Sequence, residues 1–154
     1  MTYAPEPRDL EVLAMVRAKP AAYLSPGRTT SLQDLALDLA NDAVYLESEK
    51  VSIQRFGLWF IVAASEDWLV KGSKWQVPEV FFRIQLFHQY RKNSTRATVL
   101  VAAFAKEVVT FLGAKPVVVQ GNPSDMDALQ SIVQTQHALS RVVAFRGSYE
   151  QAAA

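Results

Sequence analysis

Residues 75–112 read WQVPEVFFRIQLFHQYRKNSTRATVLVAAFAKEVVTFL, and a helix drawn through them would be apolar on nearly every side. A helix of that kind must be buried on more than one side. A polar break at 91–94 divides the stretch, Pro78 suits a first helical position, and Gly113 suits a helix C-terminus. We therefore predict two consecutive buried helices at the centre of the domain, with the other elements packed on them.

Further helices and short strands are predicted on both sides of this central pair. Amphipathic patterns indicate helices at 9–19 and 32–47, the second with Ser31 as its N-cap. The β-branched and aromatic residues of 51–64 indicate a central strand or a bent hairpin. Residues 117–145 have the length of a βαβ unit with parallel strands. The prediction is a helix-rich α+β fold, with about five helices around the central pair and a small sheet.

The length of 154 residues, with 50% hydrophobic and 20% charged residues, is typical of one globular domain. We expect it to span residues 1–154, with 1–7 and 150–154 loosely held. The net charge of +1 predicts no overall attraction to nucleic acid or membrane. The sequence has no cysteine, no signal-peptide pattern and no apolar run near the ~20 residues of a membrane span. We therefore expect a cytoplasmic protein without membrane contact.

Patterns that carry catalysis or cofactor binding are absent from the sequence. It contains no G-x-S-x-G nucleophile motif and no glycine-rich phosphate loop. His88 and His137 have no carboxylate or second histidine at metal-ligand spacing, whereas a zinc site needs three or four ligands. We predict no catalytic residues, no metal site and no cofactor. An enzyme whose catalytic residues are scattered along the chain stays an alternative.

The second predicted helix carries aspartates four residues apart, which places their side chains next to one another. They are Asp34, Asp38 and Asp42, and Glu47 follows them. The stripe is open to three interpretations: a solvated helix face, a contact surface for a basic partner, or a divalent-cation or acid–base site. Our hypothesis places partner binding at these four residues, because an acidic surface steers association with a basic protein.

The break between the two central helices gathers the basic residues Arg91, Lys92 and Arg96, with Tyr90 alongside. Such a patch can contact nucleic-acid phosphates, and a tyrosine can stack on a base. Internal pairing with the acidic helix is the other interpretation. A small regulatory or nucleic-acid-binding domain is therefore the alternative function, although the overall charge argues against nucleic acid as the partner.

Three tryptophans lie close together in the sequence, at Trp59, Trp68 and Trp75. Aromatic residues of this kind form either part of the core or the wall of a ligand pocket. The sequence leaves both interpretations open.

Residues 19–24, KPAAYL, followed by Ser31 and Leu32, resemble an Arg-Pro-Gly-Met-Tyr-Leu-Gly-like segment of small bacterial proteins. In those proteins the segment lies between the first and second helices, and some of them look like immunity proteins encoded beside toxins. Here Lys19 stands in place of the arginine, and alanines replace the Gly-Met pair. The resemblance implies a bacterial protein that neutralises a toxin. Together with the acidic helix, it leads to our hypothesis of a non-catalytic, immunity-type protein-binding domain.

Overall fold

The computed structural model describes residues 1–87, 95–135 and 139–149, which form one antiparallel sheet with helices on both faces. The helices are α1 (Pro7–Ala18), α2 (Leu32–Tyr45), α3 (Thr98–Phe104) and α4 (Met126–Val133). The strands are β1 (Val51–Phe56), β2 (Trp59–Ala64), β3 (Ala105–Leu112), β4 (Lys115–Gln120) and β5 (Arg141–Ser148). Short 3₁₀ turns occur at Pro20–Ala22 and Glu79–Phe82. None of the helices in these ranges is long and apolar enough to cross a membrane.

The strand order is β1-β2-β5-β3-β4, and all neighbouring strands are antiparallel. β1 and β2 form one hairpin, and β3 and β4 form another. β5 lies between the hairpins and pairs with β2 on one side and with β3 on the other. Within the described sheet, β5 is therefore the strand that joins the two hairpins.

The two faces of the sheet carry separate cores, because successive side chains of a strand point to opposite faces. On one face, α1, α2 and α3 pack over side chains that include Val62, Val108 and Phe145. On the other face, α4 contributes Leu129 and Val133 to a smaller core. The β-strands are therefore buried on both sides at the centre of the sheet.

The α+β class is confirmed, but the predicted central helix pair is wrong over most of its length. In the described part of its first half, residues 75–87, only Glu79–Phe82 is helical, as a 3₁₀ turn. In its second half α3 ends at Phe104 and β3 begins at the next residue. The β-branched run at 108–110 favours a strand, and a strand buried on both faces lacks the polar alternation that would distinguish it from a buried helix. The described residues form four α-helices, so the fold is less helical than predicted.

The predicted βαβ unit has an additional strand at its centre. β4 and β5 run in the same direction, because each is antiparallel to β3. They are not hydrogen-bonded to each other, since β3 lies between them. The segment 115–148 is therefore a split βαβ arrangement, with α4 as its helix.

Candidate functional site

The acidic stripe of α2 is largely part of the interior. Asp38 and Asp42 are only 3% and 2% exposed. Arg28 Nε donates to Asp38 Oδ1 at 3.0 Å, and the backbone N–H of Ala97 donates to Asp42 Oδ2 at 2.6 Å. The second bond fixes α2 to the residue that precedes α3. Because both side chains are buried, Asp38 and Asp42 do not form a contact surface for a partner. They do not form a solvated helix face either.

Asp34 and Glu47 lie near the two ends of α2. The N–H and hydroxyl of Thr29 donate to Asp34 Oδ2 at 2.7 and 2.8 Å, and these bonds lower the pKa of the Asp34 carboxyl. Asp34 N–H donates to the Ser31 hydroxyl, which confirms the predicted N-cap. Glu47 is exposed just beyond the helix, with a φ of 68°. Partner binding through Asp34 and Glu47 stays a prediction.

Of the predicted basic break, Arg96 belongs to the described residues, whereas Arg91 and Lys92 lie outside them, as do His88 and His137. Arg96 is buried, and its Nη2 donates to the carbonyl of Lys71 at 2.7 Å. Burial lowers the pKa of the Arg96 guanidinium, and the nearby Asp42 opposes part of that effect. This neighbour agrees with the interpretation of pairing with the acidic helix. A buried guanidinium does not present itself to a nucleic-acid backbone.

The three tryptophans have different environments. Trp68 is fully buried in the larger core, and Trp59 is fully buried in the smaller one. Trp59 Nε1 donates to Asp125 Oδ2 at 3.0 Å, which satisfies its buried N–H. Trp75 is half-buried and lines a cavity. Two of the tryptophans are therefore core residues, and one belongs to the wall of a pocket.

The described residues provide no group of three His, Asp or Glu side chains that could hold a metal ion. Several of their charged side chains form pairs inside the molecule. Arg141 donates to both carboxylate oxygens of Asp67, at 2.8 and 2.7 Å, and Arg146 bonds Glu107 and Asp125, at 2.7 to 2.8 Å. These pairs join β5 to the loop that follows β2, to β3 and to the residue that precedes α4.

The outer edge of β1 is the surface that the sequence analysis missed. A two-residue turn joins β1 to β2, so Phe56 and Trp59 form the hydrogen-bonded pair that closes the hairpin. Pairs then alternate along an antiparallel ladder. Consequently the N–H and C=O groups of Val51, Ile53 and Arg55 point away from β2. No described residue forms a backbone hydrogen bond with these outer groups.

The opposite edge of the sheet is covered by the N-terminal residues. Val118 N–H donates to the carbonyl of Met1 at 2.9 Å, and Tyr3 N–H donates to the carbonyl of Val118 at 2.8 Å. Thr2 thereby forms a parallel bridge with Val118 on the outside of β4. Residues 1–7 are expected to be loosely held, but the backbone of Met1 and Tyr3 is hydrogen-bonded to β4. Among the residues that the structure describes, the N-terminal ones therefore cover part of the β4 edge, and none covers the β1 edge.

A groove of about 260 Å³ runs beside the open edge, between β1 and α2. Leu37 of α2 and Ile53 of β1 are 36% and 42% exposed there. The guanidinium of Arg55 lies over the Phe60 ring, 3.9 Å from its centroid. Gln33 of α2 adds a polar side chain to the rim. The groove thus combines an apolar floor with polar sides, directly next to unpaired backbone.

The sequence contained one signal for this edge. Val51, Ile53 and Arg55 share one face of β1 and alternate with Ser52 and Gln54, which is typical of a strand that is only partly buried.

No family model matches this chain, and neither the curated proteins nor the solved structures give a significant match.

Proposed function

We propose that this protein is a non-catalytic protein-binding domain that binds an extended segment of its partner along the outer edge of β1. The observation that carries the proposal is the contrast between the two edges of the sheet. Residues 1–3 cover part of the β4 edge, whereas no described residue covers the six-residue β1 edge. An added strand would bind this edge through the same main-chain hydrogen bonds that hold the sheet together.

The groove supplies the selectivity that main-chain bonds lack. Side chains of an added strand alternate between the two faces of the sheet. Every second partner side chain would therefore lie on the α2 side, close to Leu37 and Ile53. An apolar side chain at that position would bury surface that the free protein exposes. The expected partner segment is thus extended, with apolar side chains at every second position.

The β1 edge lacks the usual protection against strand addition. Natural edge strands are commonly interrupted by proline, bulges or lysines that point past the edge. β1 contains no proline and pairs with β2 without a register shift. Its arginine, Arg55, lies over the Phe60 ring. A long unprotected edge of this kind is consistent with a binding surface.

The resemblance of residues 19–24 to immunity-type proteins favours a toxin as the partner. A bacterial, cytoplasmic setting belongs to the same proposal. In this form, strand addition at β1 would hold the toxin in an inactive complex. The domain itself would need no catalytic group.

The test is a comparison of Ile53→Pro with Ile53→Ala and Leu58→Ser. Proline removes the outward N–H at position 53 without breaking a bond to β2, whereas alanine shortens the side chain and keeps the N–H. Leu58 is 73% exposed in the hairpin turn and controls for loss of an apolar surface residue. Each variant is used as bait in a lysate of the producing cells. Hydrogen exchange of the Val51, Ile53 and Arg55 amides is then measured with and without the captured protein.

If the proposal is correct, the wild type and Leu58→Ser retain the same captured protein. Ile53→Ala retains it more weakly, and Ile53→Pro does not retain it. The three outward amides should exchange more slowly in the complex. Equal capture by Ile53→Pro, or the absence of any protein with this pattern, contradicts the proposal. Loss of the partner in Glu47→Lys but not in Ile53→Pro would move the interface to the acidic end of α2. Concentration-dependent dimers that Ile53→Pro abolishes would identify a second copy as the occupant instead.

A further inference from the structure

Arg55 is a charged side chain at the open edge of β1, and it forms part of the wall of the groove beside that edge. The residue is exposed, and its Nη2 donates to the carbonyl of Gly57 at 3.3 Å. None of the described carboxylates forms an ion pair with it. Most of its guanidinium N–H groups therefore have no acceptor among the described residues, and the side chain is accessible from solvent.

The guanidinium is held against the sheet by an aromatic ring. Arg55 and Phe60 are opposite each other in the β1–β2 ladder, and the guanidinium carbon lies 3.9 Å from the Phe60 ring centroid. Phe60 in turn stacks on Phe145 of β5, with 5.8 Å between the ring centroids. A guanidinium packed on an aromatic face keeps its edge, which carries the N–H donors, free for a carboxylate. The positive charge thus has a defined position on the α2 side of the sheet.

The main chain of Arg55 determines which partner residue would meet this charge. The N–H and C=O groups of Arg55 point away from β2, so they would bond the residue directly opposite in an added antiparallel strand. Side chains of directly opposite residues project from the same face, with their Cβ atoms about 5 Å apart. The partner side chain opposite Arg55 would therefore lie beside the guanidinium. The partner side chain opposite Ile53 would lie two positions along the same strand, next to the groove.

The charge of the groove favours an acid at the position opposite Arg55. The groove wall contains this arginine and no aspartate or glutamate. The aspartates of α2 near the groove have internal partners, since Asp34 accepts from Thr29, and Asp38 is buried and accepts from Arg28. A lysine or arginine opposite Arg55 would place like charges side by side, which destabilises a ladder. A carboxylate there would complete an ion pair and accept from the free N–H groups.

We propose that the partner segment carries an aspartate or glutamate opposite Arg55 and an apolar side chain opposite Ile53, two positions away. The inference rests on the proposed strand addition at β1, and it names the side chains that this edge recognises. Main-chain bonds hold the segment, the groove takes the apolar side chain, and the ion pair sets the register. A shift by one residue would turn the acid to the other face of the sheet, away from Arg55.

The test uses three fluorescein-labelled heptapeptides: Thr-Glu-Thr-Ile-Thr-Glu-Thr and the forms in which glutamine or lysine replaces both glutamates. The pattern of side chains is the same from either end, so the test does not depend on the direction in which the peptide binds. Fluorescence anisotropy with the full chain measures each affinity. The glutamate peptide should bind about 2–5-fold more tightly than the glutamine peptide and about 5–20-fold more tightly than the lysine peptide.

Substitutions separate the ion pair from the main-chain bonds. Arg55→Gln should remove the preference for glutamate over glutamine, and Arg55→Glu should reverse the order, so that the lysine peptide binds most tightly. Arg8→Glu makes the same change in net charge at an exposed arginine of α1 and should keep the wild-type order. Ile53→Pro should weaken all three peptides, because it removes an outward N–H that each of them uses. Circular dichroism checks that each variant is folded.

The outcomes distinguish this inference from the proposed function. If all three peptides bind equally and Ile53→Pro weakens them all, the ion pair is excluded while strand addition at β1 stands. An order of affinities that Arg55→Glu leaves unchanged likewise overturns the inference alone. So does the absence of binding by the glutamate peptide, because capture of the protein partner is measured separately. A preference for glutamate that Ile53→Pro does not weaken would place binding away from the edge and contradict both proposals.

Discussion

Replacing Asp9 by asparagine is expected to lower the free energy of unfolding by about 3 kcal/mol. Asp9 is fully buried and accepts hydrogen bonds from the Tyr3 hydroxyl, the Glu6 N–H and Arg83 Nη1, at 2.5, 2.9 and 2.8 Å. Asparagine keeps the shape of the carboxylate and loses its charge. In the variant, Glu79 remains as an ionic partner of Arg83. Its Oε2 lies 3.6 Å from Arg83 Nη2, and its side chain is half-exposed.

The magnitude follows from the burial of this pair. Removing one partner of a buried ion pair costs about 3–5 kcal/mol, because the other charge stays buried. The lower end applies here, since Glu79 remains near Arg83 and the amide oxygen of asparagine still accepts a hydrogen bond. For a chain of this length, each kcal/mol shifts the melting temperature by about 2–4 °C. The expected decrease is therefore about 6–12 °C.

The effect should also depend on pH. Burial raises the pKa of Asp9, but hydrogen bonds from Tyr3 and Arg83 outweigh it, so the pKa lies below its ordinary value. A depressed pKa contributes stability that is fully present above the unfolded value, about 4, and is lost as pH falls through the folded value. The difference between wild type and Asp9→Asn should be largest near neutrality and should shrink below about pH 4.

Urea unfolding followed by circular dichroism, at about pH 7 and in steps to about pH 3, measures both effects. Asp127→Asn is the matched control, because Asp127 is exposed in the first turn of α4. The control should stay within about 0.5 kcal/mol of the wild type. An Asp9→Asn variant as stable as the control, or a difference that does not change down to about pH 3, would refute the reasoning.

Two further substitutions test contacts that hold the elements together. Asp42→Ala should lower the free energy of unfolding by about 2–3 kcal/mol, because the Ala97 N–H before α3 loses a charged acceptor. Urea unfolding measures this loss. A variant as stable as the wild type would show that the bond to Ala97 does not stabilise the fold. Gly121→Ala should cost about 1–3 kcal/mol, because its φ is 85° and a Cβ there would lie 2.9 Å from the Lys106 carbonyl oxygen. Gly27→Ala is the control in thermal unfolding, because the φ of Gly27 is 78° but no atom lies within 4 Å of the added Cβ. An equal loss of stability in both variants would show that the contact with Lys106 is not the cause.

The elements with a clear period could be predicted from the sequence. α2 lies on one face of the sheet, so it has a buried face and an exposed face, and its side chains repeat accordingly. The N-cap at Ser31 is also correct, because a capping hydroxyl acts on residues three positions away. Local chemistry of this kind can be inferred from a single sequence.

β3 could not be predicted in this way. Val108 packs in one core, and Val109 and Phe111 pack in the other. When both faces of a strand are apolar, its sequence has no alternation, and it cannot be distinguished from a buried helix by period alone. The strand continues directly from α3, so no turn residue marks the boundary.

The candidate site was hidden for a different reason. The i, i+4 spacing correctly placed Asp38 and Asp42 next to one another, but their burial depends on Arg28 and on the backbone of Ala97, which are distant in sequence. The openness of the β1 edge depends on strand order, and a single sequence does not specify strand order. Both features are tertiary.

The position of β5 has a consequence for synthesis. The ribosome releases both hairpins before it makes the strand that joins them. Until β5 emerges, the inner edges of β2 and β3 carry unpaired backbone, and neither core is complete. The contacts that β5 forms with β2 span many residues, which slows folding. A nascent chain that stops short of Arg141 would therefore hold two separate hairpins with exposed edges, a species prone to aggregation.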